Sequence, residues 1–171
     1  MSGEPQKNVP KVIGSQAGTP RVPPPFGLGI RIVTQGRTIT SGDFSSIVNA
    51  SWEFSPMHSD AEVARSSVYG KPILGGPCLI AMGAGLSVHD LYYSWRAGGY
   101  DCYAALGIDE IRYHTPVVVD DTIRMEVEVA EFAPTPNGSA MFCRLNDVMR
   151  NQRDEIVLTM HRRYLLKGLS E

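Results

Sequence analysis

The stretch that most limits what this chain can fold into is "GGPCLIAMGAGLSVHDLYYSW", residues 75–95, a helical pattern whose one charged side chain is Asp90. A helix so poor in charge has little that water favours, so it is expected to be central, surrounded by other structure. Its small residues, Ala81, Gly83, Ala84 and Gly85, allow a neighbouring backbone to come close. Pro77 suits the first turn, where its missing N–H breaks no helical hydrogen bond. After this run the period changes from helical to two. "YDCYAALGIDEIRYH", "TIRMEVEVAEFAP", "SAMFCRLNDVMR" and "DEIVLTMHRRYLL" read as strands, separated by turn signals such as Val119-Asp120-Asp121 and Pro136-Asn137-Gly138. Strand, helices, then a run of antiparallel strands predicts an α+β fold: one antiparallel sheet wrapped around a long central helix.

Upstream, "IRIVTQGRTIT" alternates and is rich in β-branched residues, as a strand should be. Thr40 and Asp43 then form a helix-start signal for a short helix through Phe44, Ile47 and Val48. Ser59 and Glu62 make a second such signal, which predicts that the helix "DAEVARSSVYG" begins immediately after His58. Residues 1–25 hold six of the twelve prolines and almost no apolar periodicity, so they read as an extended or disordered arm, with a single domain over residues 26–171.

Composition narrows the classes of function. Sixteen basic and eighteen acidic side chains give a net charge of −2, without the basic excess expected of a nucleic-acid binder. Cys78, Cys102 and Cys143 are odd in number and widely spaced, which indicates neither a disulfide framework nor a zinc site and suits a reducing, cytoplasmic setting. No apolar run reaches the roughly 20 residues of a membrane span.

The residue types that carry proton chemistry gather in "WEFSPMHSD": Glu53 and His58, joined through Pro56, which restricts the backbone between them. Alone, the pair reads first as an ordinary exposed Glu and a loop His. Elsewhere, His89 reads as a packed or hydrogen-bonded structural residue of the long helix. Tyr92, Tyr93 and Trp95 read as core or subunit interface, and His114 and His161 have no partner by spacing.

Taken together, "WEFSPMHSD", "KPILGG" leading into the long helix, and "IRYHTPVVVDDTIRMEVEV" resemble the MaoC-like (R)-specific enoyl-CoA hydratases of the hot-dog fold, whose hallmark is Asp-x-Asn-Pro-x-His. Pro56 and His58 match that segment, and Pro72 and Gly76 follow His58 by 14 and 18 residues, as in the family pattern. Three positions depart from it: Glu53 stands for the family Asp, Ser55 for its Asn, and Gly75-Gly76 for the usual His-Gly. The resemblance implies a hydratase or dehydratase acting on an enoyl thioester of coenzyme A or an acyl carrier protein, without cofactor or metal. It makes Glu53 and His58 the catalytic pair, with Ser55 supplying a local hydroxyl. Gly75, Gly76 and Cys78, at the start of the long helix, would receive the thioester: a first turn has unpaired N–H groups, and Pro77 narrows the donors to Gly76 and Cys78. It also implies at least a homodimer. A hot-dog acyl thioesterase and a non-catalytic thioester-binding or partner subunit are the alternatives.

Overall fold

A computed structural model describes residues 25–169 together with the backbone of residues 12–13. The rest of the arm expected over residues 1–25 lies outside the described residues. In chain order the elements are β1 (Val12–Ile13), β2 (Arg31–Val33), β3 (Arg37–Thr38), α1 (Ser41–Ser51), α2 (Pro56–Ser59), α3 (Ala61–Arg65), α4 (Gly76–Ala97), β4 (Tyr100–Tyr113), β5 (Thr122–Pro134), β6 (Met141–Arg150) and β7 (Ile156–Gly168). The sheet runs β1-β2-β5-β6-β7-β4, with β3 pairing β5 off this path. Every pairing is antiparallel except the short contact of β1 with β2, which is parallel.

The four long strands fall where the alternating segments predict them, because each turn signal ends one. Asp120 adopts the left-handed conformation before β5, and Gly138 does so in the turn before β6. Alternation then sets the inner face: Met125, Val127, Val129, Leu145, Met149, Leu158, Met160 and Leu166 are buried against α4. Each such side chain removed from water contributes about 1.5–3 kcal/mol. The helix packs closely on the sheet at Gly83, where a β-carbon would lie 2.9 Å from Met149 Cε and 3.1 Å from Met125 Sδ. Beside that contact, the buried Arg162 of β7 pairs through Nε and Nη2 with the Asp147 carboxylate of β6, and Nη2 also donates to Ser87 Oγ of α4 at 2.8 Å. This triad ties the helix to two strands.

Three expectations are corrected. First, α4 is embedded on one side only. Cys78, Leu79, Gly83, Ser87, Leu91, Ser94 and Trp95 are buried, whereas Ala81, Gly85, Val88 and Tyr92 form an exposed stripe at three- and four-residue spacing. Low charge along a helix does not by itself require that the described residues cover every side of it. Secondly, the first predicted strand is broken into β2 and β3, with Thr34 and Gln35 between them and Thr34 Oγ1 accepting from the Met125 amide. Thirdly, Ser59 does not cap a helix. It belongs to α2, and Asp60 caps α3 by accepting from the amides of Glu62 and Val63. An aspartate next to the serine is the competing cap, and its ionised carboxylate is the stronger acceptor. The first helix signal behaves as expected: Thr40 and Asp43 form a reciprocal capping box on α1.

Candidate active site

Glu53 and His58 meet because α1 ends sharply. Trp52 takes the left-handed conformation at the helix terminus (φ 58°), and the Glu53 amide donates back to the Val48 carbonyl at 3.2 Å. Three residues on, Pro56 opens the single turn of α2, and the His58 amide donates to the Ser55 carbonyl at 2.8 Å. His58 thus lies within this turn and not at the entrance of α3.

The imidazole is held from behind. Its Nδ1 lies 2.7 Å from the Ile73 carbonyl oxygen, which can only accept, so Nδ1 carries the proton. With Nδ1 protonated, the neutral form of the ring presents the lone pair of Nε2, 3.8 Å from Glu53 Oε1. The Ile73 carbonyl is itself fixed by its neighbours: the Ile73 amide donates to Met57 O, and the Leu74 amide to Val117 O at 2.8 Å. The segment "TPVVV" reaches the pair in this way, through the backbone of residues 73–74. Both side chains are partly buried, with 14% of His58 and 29% of Glu53 exposed, so a ligand can reach them.

Gly75 lies directly against the pair. A β-carbon there would come 2.6 Å from Glu53 Cγ, 3.2 Å from Glu53 Cδ and 3.3 Å from His58 Nε2. Gly76 and Pro77 then begin α4, and the amides of Gly76 and Cys78 donate to no acceptor among the described residues. These orphan donors, with the positive end of the helix dipole, form a ready acceptor site for a developing negative oxygen. Cys78 can contribute only its amide, since its thiol is buried and lies 3.2 Å from Ser51 Oγ.

The remaining candidates separate from this cluster. Ser55 is exposed, and its hydroxyl makes no cap bond; its carbonyl accepts instead from His58 and Ser59. His89 is not packed as expected: its side chain is 76% exposed and its ring lies 4.7 Å from that of Tyr93. Trp95 is core, whereas Tyr92 and Tyr93 are exposed. His114 finds Thr159 Oγ1 at 3.1 Å, and His161 lies 3.7 Å from Glu110, cross-strand contacts that linear spacing does not reveal. Among the described residues no group of three or more His, Cys, Asp or Glu side chains converges in a way that could hold a metal ion.

One neighbour was not singled out from the sequence. Tyr113, the last residue of β4, lies over Gly76: a β-carbon there would be 2.4 Å from its Cζ and 2.6 Å from its hydroxyl. Burial, and then the Glu53 carboxylate, push the Tyr113 phenol above its ordinary pKa. The only signal in the sequence was its place in "IRYHTP", two residues before Thr115-Pro116.

An antiparallel sheet packed on a long helix defines a hot-dog domain, and here a carboxylate and an imidazole lie beside that helix's N-terminus. The MaoC like domain model matches residues 31–140, more than half of the chain, and the protein belongs to that family. It is similar to a solved monoamine oxidase regulatory protein from Archaeoglobus fulgidus (26% identity, TM-score 0.76, covering 85% of this chain and 93% of that one). It is also similar to a MaoC-like dehydratase from Rhodospirillum rubrum (19% identity, TM-score 0.67, covering 85% and 96%). A third similar structure is an (R)-hydratase from A. caviae involved in PHA biosynthesis (21% identity, TM-score 0.63, covering 84% and 98%). Comparison with curated proteins gives no match. Among the described residues no helix is long and apolar enough to cross a membrane.

Proposed function

We propose that this protein adds water to, or removes it from, the 2,3 bond of an enoyl or 3-hydroxyacyl thioester of coenzyme A or an acyl carrier protein. The observation that carries this reading is the 3.8 Å gap between Glu53 Oε1 and His58 Nε2, with His58 anchored by Ile73 so that two acceptors face each other. One water can donate to both, at about 2.8 Å from each. Glu53 takes a proton from this water as its oxygen bonds to the β carbon. The π electrons move to the thioester oxygen, where the amides of Gly76 and Cys78 receive the enolate. The enolate then takes the proton at its α carbon, directly from Glu53 or by way of His58, and one molecule of water has been added across the double bond. Dehydration follows the reverse path.

A homodimer is part of this reading. The outer edge of β4 pairs with no other strand among the described residues and carries the exposed Tyr103, Leu106 and Ile108. The apolar stripe of α4 is likewise uncovered by the described residues, and a groove of ≈ 1000 Å³ along that face, lined by Gly36, Arg37, Gly85, Leu86, His89 and Tyr93, shares no residue with the Glu53–His58 pair. A second copy laid edge to edge would pair β4 and shield both features.

The test is a panel of enoyl and 3-hydroxyacyl thioesters followed for double-bond absorbance and for free thiol at once. Loss or gain of the conjugated bond without thiol release supports the proposal. Thiol release would identify a thioesterase, and binding without turnover a non-catalytic subunit.

A further inference from the structure

Tyr113 has no role in the scheme above, yet its phenol stands against Gly76, a residue whose amide that scheme gives to the enolate oxygen. Two consecutive glycines divide the site between them. The empty side-chain position of Gly75 faces Glu53 and His58, and that of Gly76 faces the Tyr113 hydroxyl, where a β-carbon would be 2.6 Å from the oxygen. The hydroxyl makes no hydrogen bond to any described residue, and 53% of the tyrosine is exposed, so its O–H remains available to a ligand. Pro77 removes one N–H from the first turn of α4, leaving Gly76 and Cys78 as its amide donors.

We infer that the Tyr113 hydroxyl is a further catalytic group, donating a hydrogen bond to the same thioester oxygen that the Gly76 amide receives. The inference rests on the hydratase reading. A thioester oxygen seated on Gly76 lies under the phenol, and the bond strengthens as the carbonyl becomes an enolate, because a charged acceptor binds an O–H more strongly than a neutral one. Tyr113 only donates; the proton returned to the α carbon still comes from the water. Burial and the Glu53 charge act in the direction this role needs, since both hold the phenol in its protonated, donating form. Gly76 is also explained, because any side chain there would occupy the space of the phenol.

The experiment compares wild type, Tyr113→Phe and Glu53→Gln on the thioester with the fastest turnover. Phenylalanine keeps the ring and removes only the O–H. Tyr113→Phe is expected to lower kcat at least about tenfold while KM stays within about twofold, the pattern of an interaction made in the transition state. Wild-type kcat is also expected to fall at high pH as the phenol ionises, and this limb should be absent in Tyr113→Phe. Should the variant melt early, both proteins are compared where both are folded. Wild-type kcat in Tyr113→Phe, with Glu53→Gln inactive, would overturn the role of Tyr113 and leave the hydratase reading standing. Wild type inert on every thioester would overturn both.

Discussion

Glu53 and Gly75 share one volume: the side chain that residue 75 lacks would fall 2.6 Å from the Cγ of Glu53. Two of the three departures from the family pattern are therefore in contact. A histidine at position 75, the family's usual residue, would not fit beside Glu53 as it stands. The place that the Glu53 side chain occupies therefore depends on the absence of a side chain at 75.

It follows that Gly75→Ala should displace the Glu53 carboxylate from His58. Turnover is expected to fall at least about a hundredfold, since small displacements of a reacting group carry costs of that order. The melting temperature should change little, because Gly75 has φ −67° and ψ 152°, a conformation alanine adopts without strain. Steady-state kinetics with a thermal melt checks both. Unchanged turnover would show that the carboxylate has room to move.

Shortening the carboxylate is a separate matter from removing it. Glu53→Asp keeps the charge and proton affinity and changes only reach, whereas Glu53→Gln removes the base. The loss in the Asp variant should therefore be the smaller of the two. Equal impairment in two folded variants would mean that the length of Glu53 is itself required.

The four long strands and the helix through residues 76–97 were legible because each rests on a local signal, alternation or helical spacing, whereas Glu53 and His58 stand out only through the family motif and its spacing to Pro72 and Gly76. What could not be read locally depends on distant contacts. The anchoring of His58 needs the Ile73 carbonyl, which Met57 and Val117 hold in place. Tyr113 reaches Gly76 only because the end of β4 returns to the start of α4. The exposed face of α4 is not legible because low charge along a helix does not say which of its sides are covered. Ser59 misled because a capping pattern was matched while the stronger cap, Asp60, stood beside it.

The buried Arg162–Asp147 pair should matter to stability and not to chemistry. Asp147→Ala leaves a guanidinium buried without its partner and is expected to cost about 3–5 kcal/mol. Replacing both, as Asp147→Leu with Arg162→Met, should recover most of that loss, because no charge is then left buried. Denaturant melts of the single and double variants read the difference. A double variant no more stable than the single would show that the pair itself holds α4 to the sheet.

Thiol labelling provides a check on burial. Cys78 and Cys143 are buried and Cys102 is exposed, and burial pushes the Cys143 thiol up to about 12. A native chain should react at one cysteine and a denatured chain at three. Burial and then the Asp101 charge also raise the Cys102 thiol. Less of it is thiolate at a given pH than in an ordinary cysteine, so its labelling near pH 8 should be slow and should accelerate as pH rises. Rapid labelling of two native thiols would contradict the packing around α4.

The central claim is that Glu53 and His58 together activate one water for addition to an enoyl thioester. Its most direct test is a single-turnover measurement in oxygen-18 water with wild type, Glu53→Gln and His58→Ala, following loss of the conjugated double bond and the label at the β carbon. The account predicts that wild type forms the β-labelled 3-hydroxyacyl thioester without releasing thiol, and that each variant is slower by at least about a hundredfold while melting normally. Label in a free carboxylate, or an equal rate in wild type and Glu53→Gln, would contradict it.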